Sequence, residues 1–167
     1  ATETAEPEDT IKPPYRAATP EEVEKYPKAT NLPTLYIDLD NGVNKNKITK
    51  EKYIPATYSL VVEDGVGIYE QPLEIKGRGN YSWSFMQKPY NIKLAEKTDL
   101  LGMGEARTWV LVTTYSDKTL MRNYLTLNLA VDIGLQYSVE AKYVDVYING
   151  KYNGLYVLTE KIQIHDN

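Results

Sequence analysis

The chain contains no cysteine, one histidine and one phenylalanine among its 167 residues. The lack of cysteine excludes disulfides, thiolate metal sites and a cysteine nucleophile. No apolar run approaches the roughly 20 residues that a membrane-spanning helix needs. A net charge of −4 gives no general basic field for nucleic acid. The sequence therefore predicts neither a nucleic-acid partner nor a membrane span.

Tyrosine, by contrast, is abundant, with 15 residues. A tyrosine ring can be buried while its hydroxyl stays in water, so this composition predicts much half-exposed aromatic surface. Together with Trp83, such a surface would suit a non-catalytic module that binds carbohydrate or a partner protein. Trp109 lies among apolar neighbours, which favours a place in the core.

The first 30 residues differ in composition from the rest of the chain. They hold five of the nine prolines, with seven acidic and four basic residues. Such a segment buries little apolar surface. We predict an acidic, proline-rich tail or linker over residues 1–31 and one domain over 32–167. Within the tail, Thr19-Pro20-Glu21-Glu22 predicts a short capped helix that ends before Pro27.

Runs of alternating or β-branched residues predict strands over 34–39, 58–62, 73–76, 90–94 and 108–114. Asn149-Gly150 predicts a tight hairpin between strands at 143–148 and 152–158. In the strand 90–94, Asn91 and Lys93 share one face, whereas Tyr90, Ile92 and Leu94 share the other.

Between the predicted strands at 108–114 and 143–148, the spacing of apolar residues becomes that of a helix. Asp117 can cap a helix from Lys118 to about Ile133, with Gly134 just past its end. The sequence thus predicts an α+β fold: a twisted, mainly antiparallel sheet of five to seven strands with one long helix packed on it.

The most informative motif is Gly77-Arg78-Gly79-Asn80, which is followed by Lys88 and Lys93. A glycine-rich turn exposes backbone N–H groups to a phosphate, and arginine adds a forked donor. A lysine on the next strand can neutralise the phosphate from the other side. This is the general plan of a kinase nucleotide lobe. A plain hairpin with a solvated lysine is the alternative.

Seven blocks of sequence extend this motif. They are 75–83, 88–94, 100–103, 109–111, 117–123, 143–150 and 152–160, among them Lys88-Pro89-Tyr90-Asn91-Ile92-Lys93-Leu94 and Tyr152-Asn153-Gly154-Leu155-Tyr156. In order and spacing they resemble the spore coat protein H (CotH) kinase family. The resemblance implies an atypical protein-kinase fold, with this chain as its N-terminal, nucleotide-binding lobe. It also implies ATP with Mg²⁺ as cofactor, a protein serine as substrate, and a location outside the cell or on the spore surface.

The resemblance also assigns roles to individual residues. It implies that Arg78, Gly79 and Asn80 form the phosphate-covering loop, that Lys93 contacts phosphate with Lys88 as its rival, that Arg122 and Asn123 lie on a site-supporting helix, and that Glu160 lies near the adenine. Arg122 has the alternative of a purely structural role, tying its helix to a carbonyl or carboxylate.

One departure concerns catalysis. In the family, the acidic residues that hold metal lie in the second half of the domain, and here only Asp166 and Asn167 follow Glu160 as candidates. We therefore expect no metal site and no assigned catalytic residue in this chain. It would need a missing C-terminal lobe or self-association. A structural coat or scaffold component is a further alternative.

Overall fold

The computed structural model describes residues 14–28, 30–63 and 65–162. The elements in chain order are β1 (Arg16–Ala17), α1 (Pro20–Lys25), β2 (Thr34–Leu39), β3 (Ile54–Glu63), β4 (Val66–Gly77), β5 (Tyr90–Asp99), β6 (Glu105–Thr113), α2 (Arg122–Asp132), β7 (Ala141–Ile148) and β8 (Lys151–Glu160). Short 3-10 turns cover Asp40–Gly42, Lys45–Lys47 and Tyr81–Ser84. Neither α-helix is long and apolar enough to cross a lipid bilayer in this described part of the chain.

Seven of the strands form a closed barrel. Their order is β4-β3-β2-β7-β8-β6-β5, and β5 pairs again with β4 to complete the ring. The pairs are antiparallel except β2 with β7, which runs parallel from Thr34 opposite Asp145 to Ile37 opposite Ile148. The short β1 adds to β4 outside the ring.

The predicted α+β fold, an open sheet with one long packed helix in the manner of a kinase N-lobe, is therefore wrong. The described strands bury their apolar side chains against one another inside the ring, so the sheet needs no helix to cover its hydrophobic face. The predicted strand segments all overlap observed strands, and the pairing is mainly antiparallel, as predicted, but β1 was not predicted and β3 and β4 are longer than the predicted segments.

The barrel interior is the main hydrophobic core. It contains Leu35, Ile37, Leu73, Ile75, Tyr90, Ile92, Leu94, Trp109, Leu111, Val144, Val146, Tyr156 and Leu158, among others. The predicted alternation of β5 is confirmed, because Tyr90, Ile92 and Leu94 are in this core. Trp109 is fully buried, as predicted, and its indole N–H donates to the carbonyl of Ala106 at 3.1 Å.

Helix α2 is shorter than the predicted 118–133 and has no buried residue. It begins late because Leu120 has a φ of 60°, which a right-handed helix cannot accommodate. Leu129 and Ile133 are more than half exposed. The predicted end is confirmed: Gly134 has a φ of 69°, and the N–H of Leu135 donates to Ala130 at 3.0 Å.

The predicted hairpin is confirmed between β7 and β8. Asn149 and Gly150 have φ values of 51° and 71°, the positive values that a type I′ turn requires. Asn149 also joins the hairpin to β2, because its Oδ1 accepts the N–H of Leu39 at 2.8 Å.

Part of the predicted tail lies on the barrel. The capping box at the start of α1 is confirmed: Thr19 accepts the N–H of Glu22, and the Glu22 carboxylate accepts the N–H of Thr19. Tyr26, just after α1, is buried against Tyr36 and Tyr69. The domain boundary at residue 31 stays a prediction.

Candidate functional site

The β4–β5 loop, residues 78–89, carries the predicted phosphate motif. A side chain at Gly77 would collide with the ring of Trp83, and Gly79 has a φ of 81°. Glycine is therefore required at both positions, one for packing and one for backbone conformation. After Asn80 the chain makes a 3-10 turn over Tyr81–Ser84. The two glycines thus fold the loop back over the end of the barrel strands.

Gln87 fixes the second half of this loop to the barrel. Its Nε2 donates to the carbonyl of Leu155 at 2.7 Å, and its Oε1 accepts the Thr113 hydroxyl at 2.9 Å. A side chain at Gly154 would collide with the Gln87 amide. Sequence reasoning missed this anchor. A glycine in the middle of a strand was the available signal, since it marks a close approach.

A cavity of about 290 Å³ opens beside the loop, and we name it the Arg78 cavity. Its polar lining comes from Arg78, Gly79 and Ser82 of the loop, Thr113 at the end of β6, Ser116 just after it, and Asn123 of α2. The structure therefore brings together three residues that the sequence assigned to nucleotide binding or its support: Arg78, Gly79 and Asn123.

The Arg78 guanidinium is half-buried, and burial lowers its pKa below the ordinary value. Among the described residues, no carboxylate forms an ion pair with it. Because a desolvated cation without a countercharge is unfavourable, this group is suited to an anion that enters the cavity.

The first turn of α2 is held by Asp117. Its carboxylate accepts the Thr119 hydroxyl at 2.6 Å and the N–H of Arg122 at 2.8 Å. These bonds, led by the Thr119 hydroxyl, lower the pKa of Asp117. The predicted cap position is wrong, because the N-cap residue is Met121 and the helix begins at Arg122. The Asp117 carboxylate instead reaches across the preceding turn to the N–H of Arg122, the residue before Asn123.

The two candidate lysines do not line the Arg78 cavity. Lys93 points outward from β5, with its Nζ 3.5 Å from a Glu74 carboxylate oxygen and 5.9 Å from the Tyr53 ring centre. Lys88 donates to the carbonyl of Trp83 at 2.5 Å and lies 4.6 Å from that ring. It lines a separate cavity of about 540 Å³ with Lys45 and Lys50.

Asn91 is a polar residue whose importance the sequence did not reveal. It is 9% exposed, and its Oδ1 is buried without a hydrogen-bond partner. It points outward from β5, two residues after Pro89, which lines the Arg78 cavity. Since buried polar atoms are nearly always paired, this unpartnered oxygen is an exception among the described residues.

The remaining predicted residues do not line the Arg78 cavity. Asn80 is exposed and precedes the 3-10 turn, and Glu160 ends β8 opposite Trp109. The Arg122 side chain is 80% exposed, with its Nε 3.7 Å from Asp117, which agrees with the structural alternative. Asp166 and Asn167 lie outside the described residues. Within the described ranges no three His, Cys, Asp or Glu side chains cluster as metal ligands would.

Comparison with known proteins agrees with the resemblance read from the sequence. No curated protein matches the chain. Residues 75–166 match the family described as CotH kinase protein, which is more than half of the 167 residues. The match begins inside β4 and covers the β4–β5 loop, α2 and the β7–β8 hairpin. The chain therefore belongs to the CotH kinase family.

Proposed function

We propose that this chain is the nucleotide-binding part of a CotH-type protein kinase and that Arg78 binds the phosphates of ATP. The observation that carries this proposal is the Arg78 cavity. There, a half-buried arginine without a carboxylate partner among the described residues meets the glycine turn and the start of α2.

The chemistry of the cavity suits phosphate oxygens. The guanidinium offers two parallel N–H donors, and an anion would offset its desolvation. Ser82 adds a hydroxyl group, and Asn123 adds an amide. Each of these groups can donate to an anionic oxygen without bringing a competing negative charge. The polar part of the lining is therefore better matched to a phosphate than to a cation.

Other contacts follow from the position of Asn91. Its Oδ1 is buried without a partner, so a nucleotide that extends along β5 would have to displace the covering side chains to donate to it. Lys93 lies further along the same face, and it would have to exchange Glu74 for a phosphate oxygen. Glu160, at the end of β8, is proposed for the base end of the nucleotide.

Magnesium, when bound with ATP, would neutralise phosphate charge during transfer. We assign it no protein ligand, because the described residues contain no cluster of acidic side chains. For residues 14–162 we propose nucleotide binding, and transfer to a protein serine would require metal-holding carboxylates in addition. By analogy with the spore-coat association of the family, we propose an extracellular or spore-surface location.

Isothermal titration with MgATP tests the site. We expect Arg78→Gln to weaken binding by at least about tenfold, the equivalent of roughly 1.4 kcal/mol. Arg107→Gln is the matched control, since it removes the same charge from an exposed arginine that does not line the cavity. Lys93→Ala and Lys88→Ala, measured in parallel, decide which lysine contacts phosphate.

Two outcomes would contradict the proposal. One is equal affinity of the Arg78→Gln variant and the unmodified chain for MgATP. The other is equal affinity of the chain for MgATP and adenosine, because a site built on Arg78 must distinguish a triphosphate from an uncharged nucleoside. Absence of binding by the unmodified chain, with the fold intact by circular dichroism, would instead favour a structural coat or scaffold role.

A further inference from the structure

A second pocket, the Asp38 pocket, lies where α1, β2 and the β7–β8 hairpin meet. Its volume is about 550 Å³, and it shares no lining residue with the Arg78 cavity. The lining residues used below are Lys25 at the end of α1, Pro27 just after it, Tyr36 and Asp38 of β2, and Tyr147 of β7. The pocket is therefore separate from the proposed nucleotide site.

Aromatic side chains form its firm walls. The rings of Tyr36 and Tyr147 are stacked, with centres 4.9 Å apart and planes at 24°. The Tyr36 hydroxyl donates to the carbonyl of Pro27, and Tyr36 itself is buried. These contacts hold the rings in place, so a ligand would meet preformed apolar walls.

Asp38 provides the charge in this pocket. Its side chain is half-buried and makes no hydrogen bond or ion pair with any of the described residues. Burial raises its pKa, an effect that nearby Lys25 opposes. The Lys25 ammonium is already paired, since it lies 2.6 Å from Glu70. A desolvated carboxylate without its own partner favours a cation.

The same surface already holds one ammonium group in such surroundings. The Nζ of Lys25 lies 2.6 Å from the Glu70 carboxylate and 4.9 Å from the centre of the Tyr26 ring. A carboxylate beside a tyrosine is thus an arrangement that this chain uses for a cation. Asp38 beside Tyr36 and Tyr147 repeats that combination of groups a short distance away.

We propose that the Asp38 pocket binds a cationic group on an aliphatic stem, the guanidinium or ammonium of an arginine or lysine side chain. The cation pairs with the Asp38 carboxylate, and the stem packs against Tyr36, Tyr147 and Pro27. A sugar is the less suitable ligand, because Tyr147 is stacked on Tyr36 on one side and packed at 5.2 Å against Tyr152 on another.

NMR titration of the ¹⁵N-labelled chain tests this site. The probes are N-acetyl-arginine amide and N-acetyl-lysine amide, with N-acetyl-citrulline amide as the uncharged analogue of the same shape. Signals of residues 25, 26, 36–38 and 147–150 should shift with the two cations. Asp38→Asn should raise the dissociation constant at least about tenfold, as expected for the loss of one charge-assisted contact. Asp40→Asn, which removes the same charge two residues away and outside the pocket, should leave it unchanged.

A second variant keeps the test valid if Asp38→Asn disturbs the fold. Tyr147→Leu removes part of the aromatic wall at the end of a hairpin strand. It should weaken the binding of both cations, while thermal unfolding shows that the barrel is intact. Agmatine carries a guanidinium without a peptide backbone, so it distinguishes a small amine from a polypeptide side chain as the ligand. Binding as tight as that of N-acetyl-arginine amide indicates a small amine, and weaker binding indicates a polypeptide side chain.

The proposal is overturned if citrulline amide binds as tightly as arginine amide, because the cation would then contribute nothing. It is equally overturned if Asp38→Asn binds like the unmodified chain. Shifts at these residues with methyl glucoside but not with the cations would indicate a sugar site. The absence of shifts with every probe would show that the pocket binds none of these ligands, which also overturns the proposal.

Discussion

The barrel interior and helix α2 have similar apolar residues but bury them differently. Inside the barrel, Leu111, Val144 and Leu158 are fully buried. On α2, Leu125 and Leu129 are about half exposed, and no residue is buried. The closed ring therefore supplies its own core, and this helix is attached to the fold by a few specific contacts rather than by a hydrophobic face.

The largest expected effect of a substitution is in the ring. Trp109→Ala should lower the free energy of unfolding by about 3–5 kcal/mol, because it removes the largest fully buried side chain and leaves a cavity. Urea unfolding followed by circular dichroism measures this change. A loss below about 1 kcal/mol would contradict a core centred on the barrel interior.

Alkaline pH should also lower stability through the interior tyrosines. Burial raises the pKa of Tyr58 and of Tyr90 to about 12. The folded pKa of each tyrosine lies above the unfolded value of about 10. The stability that each tyrosine contributes, about 2–3 kcal/mol, is therefore complete below pH 10 and is lost as the pH rises to 12. Urea unfolding at several pH values should show this decline.

Phenylalanine variants provide the control for the alkaline experiment. Tyr90→Phe should make the decline between pH 10 and 12 shallower, because one titrating group is removed from the interior. Tyr137→Phe, at a position that is 75% exposed, should leave the slope unchanged. Equal slopes for both variants would show that the interior tyrosines do not determine alkaline stability.

The smallest effect should be on α2, and it should depend on a hydrogen bond. The Asn128 amide donates to the carbonyl of Ala141 and accepts its N–H, both at 3.0 Å, where β7 extends beyond its pairing with β2. Asn128→Ala should therefore cost about 2 kcal/mol, through two backbone groups left unpaired. The neighbouring Leu129→Ala should cost less than about 0.5 kcal/mol, measured in urea, because Leu129 is exposed. A larger loss of stability for Leu129→Ala than for Asn128→Ala would mean that the apolar face of α2 is packed against the barrel.

Local features of the fold were predictable from the sequence. The Asn149-Gly150 turn, the capping box at Thr19 and the end of α2 at Gly134 each depend on a few adjacent residues whose backbone preferences are strong. Closure of the ring was not predictable in this way. It depends on β4 pairing with both β3 and β5 and on the parallel pairing of β2 with β7, and alternation specifies a buried face without specifying the partner strand.

The candidate site was predictable to a similar extent. The glycine turn identified Arg78 and Gly79, and the family resemblance identified Asn123, which the structure brings to the same cavity. Gln87 and Asn91 were missed, because their significance lies in contacts with distant strands or in the lack of a contact. Lys93 could not be placed from sequence either, since its pairing with Glu74 depends on the register between β4 and β5.

The parallel pairing of β2 with β7 has a consequence for synthesis of the chain. Strand β2 is translated well before its partner, as the hydrogen bond from Leu39 to Asn149 across 110 positions illustrates. One side of β2 therefore has no native partner until the β7–β8 hairpin has left the ribosome. During that interval β2 presents an unpaired edge, the kind of surface that recruits other strands, so productive folding depends on how soon the last hairpin arrives.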